Sequence, residues 1–249
     1  NQAKSRYIST ISHELRTPLN GILGYAQLLD EDHHLPEHVK HAVGVIKRGG
    51  DHLLSLIEGT LDIARIESGK LSLDVKPVRL DELLQQITGL IEHEARAKHL
   101  RFVADIERNL PEAVRADERR VRQILLNVLG NAVKFTAVGQ VTFKVRYARE
   151  IALIEITDTG PGIAQSELDK VFEPFARGSS AAGNAASGTG LGLTISKMLT
   201  DLMGGEMKVT SQEGVGTTFR IRLFLPQVRA SDVAQRVMQG QRTGYAGER

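Results

Sequence analysis

The chain has 249 residues, 41% hydrophobic and 25% charged, with 32 Lys and Arg against 30 Asp and Glu. That is enough apolar chain for two domains with buried cores, and the near-even charge with only 4% aromatics argues against nucleic acid as a partner. The lack of cysteine excludes disulfides and thiolate metal centres and fits a reducing, cytoplasmic setting. No apolar run reaches the ~18 to 20 residues of a membrane span. The opening NQAKSRY has no signal-peptide core and no initiator Met, so the expectation is a kinship with soluble segments cut from longer chains, without membrane contact.

From Ile8, apolar residues recur at Ile11, Leu15, Pro18/Leu19, Ile22, Tyr25/Ala26 and Leu29, the spacing of a heptad seam on one long helix. After EDHHLP, with Pro36 suited to a first helical turn, a second seam runs through Val39, Ala42/Val43, Ile46, Leu53, Leu56/Ile57, Leu61 and Ala64. Two long helices and a short loop make a hairpin. Each helix can bury only one stripe within a hairpin, so a dimeric four-helix bundle is expected, ending at Ser68-Gly69.

LSLDVKPVRL then alternates like a short strand or linker, and residues 70–77 are taken as the linker between domain 1–69 and domain 78–226. Within the second domain the pattern predicts helices at LDELLQQITGLIEHEARAKH, ERRVRQILLNVLGNAVKF and LGLTISKMLTDLM. Strands are predicted at RFVADI, VTFKVRYA, ALIEITD, MKVTS and TTFRIRLFL. Antiparallel strands with helices on one face make an α/β sandwich. Residues 227–249 are polar and are read as a tail.

Four stretches carry chemistry. In ISHELRTPLN, the heptad places His13 at position f, facing solvent, with Glu14 beside it and Thr17 one turn on. Pro18 removes the donor for the Glu14 carbonyl, a cost of roughly 3 kcal/mol inside a helix, and is expected to bend it there. A neutral imidazole is a nucleophile near neutral pH, and an adjacent carboxylate can take or orient its other proton.

In VRQILLNVLGNAVKF, Val121, Ile124, Leu125, Val128, Leu129, Ala132 and Phe135 share an apolar face, while Asn127, Asn131 and Lys134 share an arc roughly 120° away. Two neutral oxygens suit a hard cation such as Mg²⁺, and the ammonium suits a phosphate. In EITDTGPGI, Asp158 ends a strand as a fixed acceptor, and Gly160 and Gly162 let backbone approach a flat ligand. In GTGLGLTIS, Gly188, Gly190 and Gly192 precede a helix whose bare amides can cradle phosphate. Between these, VFEPFARGSSAAGNAAS follows Phe172 and Phe175 with a run of tiny residues, 178–187, of a composition that suits a mobile lid or an ordinary surface loop. His34, His38 and His41, at i, i+4 and i+7, are read as a solvated helix face, with a zinc site as the alternative.

HELRTP, NVLGNAVKF, DTGPGI, FEPFAR and GTGLGL resemble, in order, the H, N, G1, F and G2 boxes of sensor histidine kinases, across Ser5 to Pro226; RIESGKL and GVGTTF resemble that family too. The resemblance implies a dimerisation and phosphotransfer domain with His13 as phosphoacceptor, Glu14 as general base and Thr17 positioning water for dephosphorylation of the partner. It implies a Bergerat-type ATP-binding domain in which Asp158 meets the adenine amino group, Asn131 and Asn127 hold Mg²⁺ and Lys134 meets phosphate. Gly188, Gly190 and Gly192 would form the lid hinge, and Arg177 would reach the γ-phosphate. Gly160, Gly162, Phe172, Phe175, Thr189, Leu191 and Thr217 complete the implied ATP site. Where ATPases of this fold carry a water-activating Glu, this chain has Asn127, a poor base that spares the γ-phosphate for His13. The implied partners are a second copy and the receiver domain of a response regulator. TGYAGER resembles the run into an attached receiver, as in a hybrid kinase. The alternative is a catalytically silent ATP-binding scaffold.

Overall fold

The computed structural model describes residues 2–32, 34–176 and 189–228, with side chains from Glu14 onward. The expectations for the 178–187 run, Arg177, Gly188, the His13 side chain and the tail beyond Val228 lie outside the described residues. The chain divides into two compact units, residues 1–72 with 170–198, and 73–169 with 199–249.

In the first unit, helix α1 (Gln2–Asp30) and helix α2 (Glu37–Glu67) form the expected hairpin. α1 runs through Pro18 without a break in its assignment. α2 stops where predicted: Gly69 takes φ 65°, its amide donates to the Ile66 carbonyl at 2.9 Å, and the Lys70 amide donates to the Arg65 carbonyl at 2.9 Å. These two bonds satisfy carbonyls that the helix end would leave open. The seam residues split. Leu19, Ala26, Val43 and Leu61 are buried within the hairpin, while Leu15, Ile22, Tyr25, Leu29, Ile46 and Leu53 remain exposed. Two helices cover only one stripe of each other, which is why half the seam is left open.

His34 corrects the histidine reading. It lies in the turn before α2, with its amide donating to Asp32 Oδ1 at 2.9 Å, so it shares no helix face with His38 and His41. Among the described residues no group of three His, Asp or Glu is placed to hold a metal.

The second unit is built on a five-stranded sheet in the order β2-β4-β5-β7-β6 (Arg101–Ile106, Gln140–Ala148, Ile151–Asp158, Gly216–Phe224 and Glu206–Gln212). It is mixed rather than antiparallel, because β2 pairs parallel with β4. Helices α3 (Leu80–Ala97) and α4 (Glu118–Phe135) pack on each other and on β2, β4 and β5. Alternate residues face inward: Val141, Phe143 and Val145 on β4, Ala152, Ile154 and Ile156 on β5, and Phe219, Ile221 and Leu223 on β7 are all buried. The opposite face carries Thr142, Thr157 and Thr218 in one row and Lys144, Glu155 and Arg220 in the next.

A small second sheet, unforeseen in the sequence, has the order β1-β3-β8 (Lys76–Val78, Ala113–Ala116 and Gln227–Val228). Lys76 and Pro77 are strand, one of the two states that the alternation of LSLDVKPVRL allows, and one expectation is corrected: Gln227–Val228 pair with β3 instead of starting the tail. A two-residue strand has no periodicity to read; only its partner defines it. A short helix α5 (Gln165–Leu168) and helix α6 (Gly192–Leu202) complete the described elements.

Candidate functional site

Helix α4 begins on a buried cap. Asp117 Oδ1 accepts from the Arg120 amide at 3.1 Å, and Oδ2 accepts from the Asp74 amide at 3.0 Å, tying the linker to the start of the helix. At its other end, Lys98 Nζ donates to the Val133 and Lys134 carbonyls at 2.9 and 2.8 Å. The carbonyl end of a helix favours a cation there. With both ends held, the apolar face from Val121 to Ala132 is buried, and Asn127, Asn131 and Lys134 lie half-buried on the predicted separate arc. Phe135 corrects the apolar-face reading. It ends the helix and is 42% exposed, its ring 4.9 Å from the Lys134 ammonium, while Val133 takes a buried place in the last turn.

Asp158 is the last residue of β5, opposite Val141 on β4 and Thr217 on β7, and is only 8% exposed. Its Oδ1 accepts from the Gly160 amide at 2.9 Å. Burial pushes its pKa above the usual carboxylate value, and hydrogen bonds from the Gly160 and Thr217 backbones pull the other way. Asp158 is thus a buried acceptor at a strand end. Gly160 also sits against the end of α4: a side chain there would lie 3.3 Å from the Phe135 carbonyl and the Thr136 hydroxyl. The Asp158 turn and the Lys134 end of α4 are therefore neighbours within one unit.

Gly162 has a packing reason beyond ligand approach. With φ 71°, an added Cβ would lie 2.1 Å from the Gln212 carbonyl, so the turn rests on the β6–β7 connection. The Pro161 carbonyl accepts from Gly214 at 2.7 Å there. Thr217 is buried, with its hydroxyl 2.9 Å from that of Ser211, which accepts from the Ile163 amide at 2.8 Å. Ser211 is a support that no motif in the sequence signalled.

In the other unit, the segment 170–176 and the residues from Thr189 are strapped together. The Phe175 amide donates to the Gly190 carbonyl at 3.0 Å, and Gly190, at φ 70°, has no room for a side chain because a Cβ would come 2.9 Å from Phe175 Cα. Phe175 itself is held at φ 63° and is 59% exposed, while Phe172 is half-buried. A left-handed aromatic residue is strained backbone of the kind kept at working sites. Thr189 Oγ1 accepts from the Leu191 amide at 3.3 Å, Leu191 is buried, and Gly192 opens α6. Leu191 and Ile195 lie against Gly59 of α2, where an added Cβ would be 2.9 Å from Leu191 Cδ1 and 3.2 Å from Ile195 Cδ1.

On α1, His13 lies within the helix, and Glu14, Thr17 and Pro18 are exposed. Arg16 between them is half-buried, with Nη2 3.7 Å from Glu58 Oε1 on α2. Sequence reasoning passed over this pair, since nothing in the seam aligns residue 16 with residue 58.

The chain thus has a two-helix hairpin with His13 in its first helix, followed by a mixed sheet whose strand-end carboxylate abuts an Asn- and Lys-bearing helix. Comparison with known families agrees with both halves. Residues 3–69 match the His Kinase A (phospho-acceptor) domain, and residues 116–227 match the histidine kinase-, DNA gyrase B- and HSP90-like ATPase family. The chain is 39% identical to the sensor protein GacS of Pseudomonas syringae pv. syringae over 231 residues, covering 91% of this chain and 25% of GacS. It is 40% identical to the aerobic respiration control sensor protein ArcB of Escherichia coli K12 over 227 residues, covering 90% of this chain and 29% of ArcB. Among solved structures, full-length ShkA in complex with AMPPNP superposes with a TM-score of 0.76 at 36% identity, covering 90% of this chain and 47% of ShkA. The chain belongs to the sensor histidine kinases, and it spans about a quarter to three-tenths of the length of these curated relatives. Among the described residues no helix is long and apolar enough to cross a membrane.

Proposed function

We propose that this chain is the ATP-dependent core of a protein histidine kinase that phosphorylates itself on His13 and passes the phosphoryl group to an aspartate of a response-regulator receiver domain. The observation that carries the reading is the buried Asp158 acceptor set beside the α4 end that bears Lys134. In this reading the domains run 1–69 for dimerisation and phosphotransfer, 70–77 for the linker and 78–226 for ATP, the last extended to Val228 by β8. The residues after Val228 would lead towards an attached receiver. The hairpin works as a homodimer, its open seam covered by a second copy.

Asp158 accepts from the adenine amino group, with Gly160, Gly162 and Thr217 shaping that wall, and Lys134 meets the phosphates. Phe172, Phe175, Arg177, Gly188, Thr189, Gly190, Leu191 and Gly192 belong to the covering segment. Asn131 and Asn127 fit a hard cation, since they offer neutral oxygens one turn apart on a half-exposed arc. Mg²⁺ held there would neutralise triphosphate charge. An imidazole nitrogen of His13 bonds to the γ-phosphorus as the bond to the bridging oxygen breaks and ADP leaves, and Glu14 takes the proton from the other ring nitrogen. The N–P bond then breaks as the receiver carboxylate attacks. Thr17 positions water that returns the receiver aspartyl phosphate to carboxylate and inorganic phosphate.

Incubation with γ-³²P-ATP and Mg²⁺ tests the reading. Wild type gains acid-labile label, while His13→Gln gains none and Asp158→Asn labels at least tenfold more slowly at low ATP. A wild type that binds ATP but takes no label would leave the silent scaffold instead.

A further inference from the structure

The helical turn after His13 carries a guanidinium with too few partners. Arg16 Nε is buried and donates to no acceptor among the described residues. Among the described residues its ion contact is Glu58 Oε1, 3.7 Å from Nη2 and beyond hydrogen-bond length, and the two side chains keep 39% and 56% of their exposure. A loose, half-solvated pair of this kind contributes little to stability, while a buried N–H without an acceptor is a cost. The fork of five donors is suited to two oxygens of one carboxylate or phosphate and here meets neither squarely.

Position supplies the missing acceptor. Residues three apart on a helix are neighbours, and helical side chains lean towards the N-terminus, so the turn that holds His13 is within the span of a side chain at position 16. From Tyr7 to Asp30, Arg16 is the sole Lys or Arg of the sequence. A phosphoryl group arriving at His13 brings about two negative charges next to the Glu14 carboxylate, and no other cation of that stretch can offset them.

We propose that Arg16 is a catalytic cation of the phosphotransfer: it rests on Glu58 before reaction and moves to the phosphoryl oxygens at His13, so that Glu58 sets how much of it is available. The proposal rests on the reading that His13 accepts phosphate. A charge placed where negative charge develops accelerates transfer and lengthens the life of the phosphohistidine.

The test uses the whole chain as wild type, Arg16→Gln, Arg16→Lys and Glu58→Gln, with initial labelling from γ-³²P-ATP and Mg²⁺, decay of the phosphohistidine after ATP removal, and thermal melting. Arg16→Gln is expected to lower the labelling rate roughly tenfold to hundredfold and shorten the phosphohistidine half-life, and Arg16→Lys to recover part of both. Glu58→Gln is expected to raise the rate about twofold to threefold, because it frees the guanidinium. Opposite signs for the two partners are the signature. If the pair only ties α1 to α2, both substitutions break it and shift rate and melting in the same direction, which overturns the proposal. A wild type that labels normally beside an unchanged Arg16→Gln overturns it alone; a wild type that never labels removes the kinase reading as well. Should Arg16→Gln fail to fold, Glu58→Gln decides, since a rate that falls or stays level contradicts it.

Discussion

The α/β unit and the helical hairpin solve the problem of burial differently. In the first, Phe143, Ile124, Leu129, Ile156 and Leu223 are 1% exposed or less, each closed in by a sheet on one side and a helix on the other. In the hairpin, Ile22, Tyr25, Ile46 and Leu53 are 48% to 74% exposed, although they follow the same apolar periodicity as their buried neighbours. A sheet with a helix layer can enclose a core within one chain, whereas two helices enclose one seam and leave the other to a partner. The α/β unit thus encloses its own core, while the hairpin keeps an apolar seam exposed, which in the proposed reading a second copy covers.

The sharpest way to break that contrast is to open the enclosed core. Phe143→Ala is expected to cost about 3–5 kcal/mol, read as a lower denaturant midpoint for the transition that follows the sheet, at any protein concentration. On the hairpin, Ile22→Ser with Leu53→Ser is expected to leave that transition in place and to weaken self-association by roughly a hundredfold or more. Sedimentation across a concentration series checks it; dissociation unchanged from wild type would mean that the open seam is not the dimer surface.

The smallest effect concerns Asp158, where enclosure works against charge. Because its folded pKa is raised above the ordinary 3.8, the carboxyl favours the fold while protonated and loses that contribution as pH rises through the folded pKa. Asp158→Asn, which cannot ionise, is expected to melt slightly higher than wild type at pH 7 without nucleotide, with the gap closing as pH falls towards 4. Melting curves across that range measure it, and a gap that grew on acidification would reverse the sign. The same substitution slows labelling, so stability and activity move in opposite directions at this residue, as is common where a site holds a buried polar group.

Much of the fold was legible because long elements repeat their pattern. Helix α4 and strand β2 fall on the predicted residues, and α2 stops at Ser68-Gly69, since a 3.6-residue period or a Schellman glycine is a local signal. The misses are short or set by neighbours. β8 is a strand only because it borders β3, which itself lies between β1 and β8, and the parallel pairing of β2 with β4 depends on a crossover that periodicity does not encode. His34 failed as a helix-face ligand because the turn ends three residues after it, at the start of α2.

At the candidate site the division is similar. Spacing alone placed Asn127, Asn131 and Lys134 on one arc of one helix and put Asp158 at a strand end. Only the tertiary structure decided that Asp158 is buried opposite Thr217, that Gly162 and Gly190 are required by backbone packed against them, and that Arg16 meets Glu58 from the other helix of the hairpin. The reason is physical: helical and strand periods are properties of a few consecutive residues, but burial, pKa and ion pairing belong to surroundings that distant segments supply.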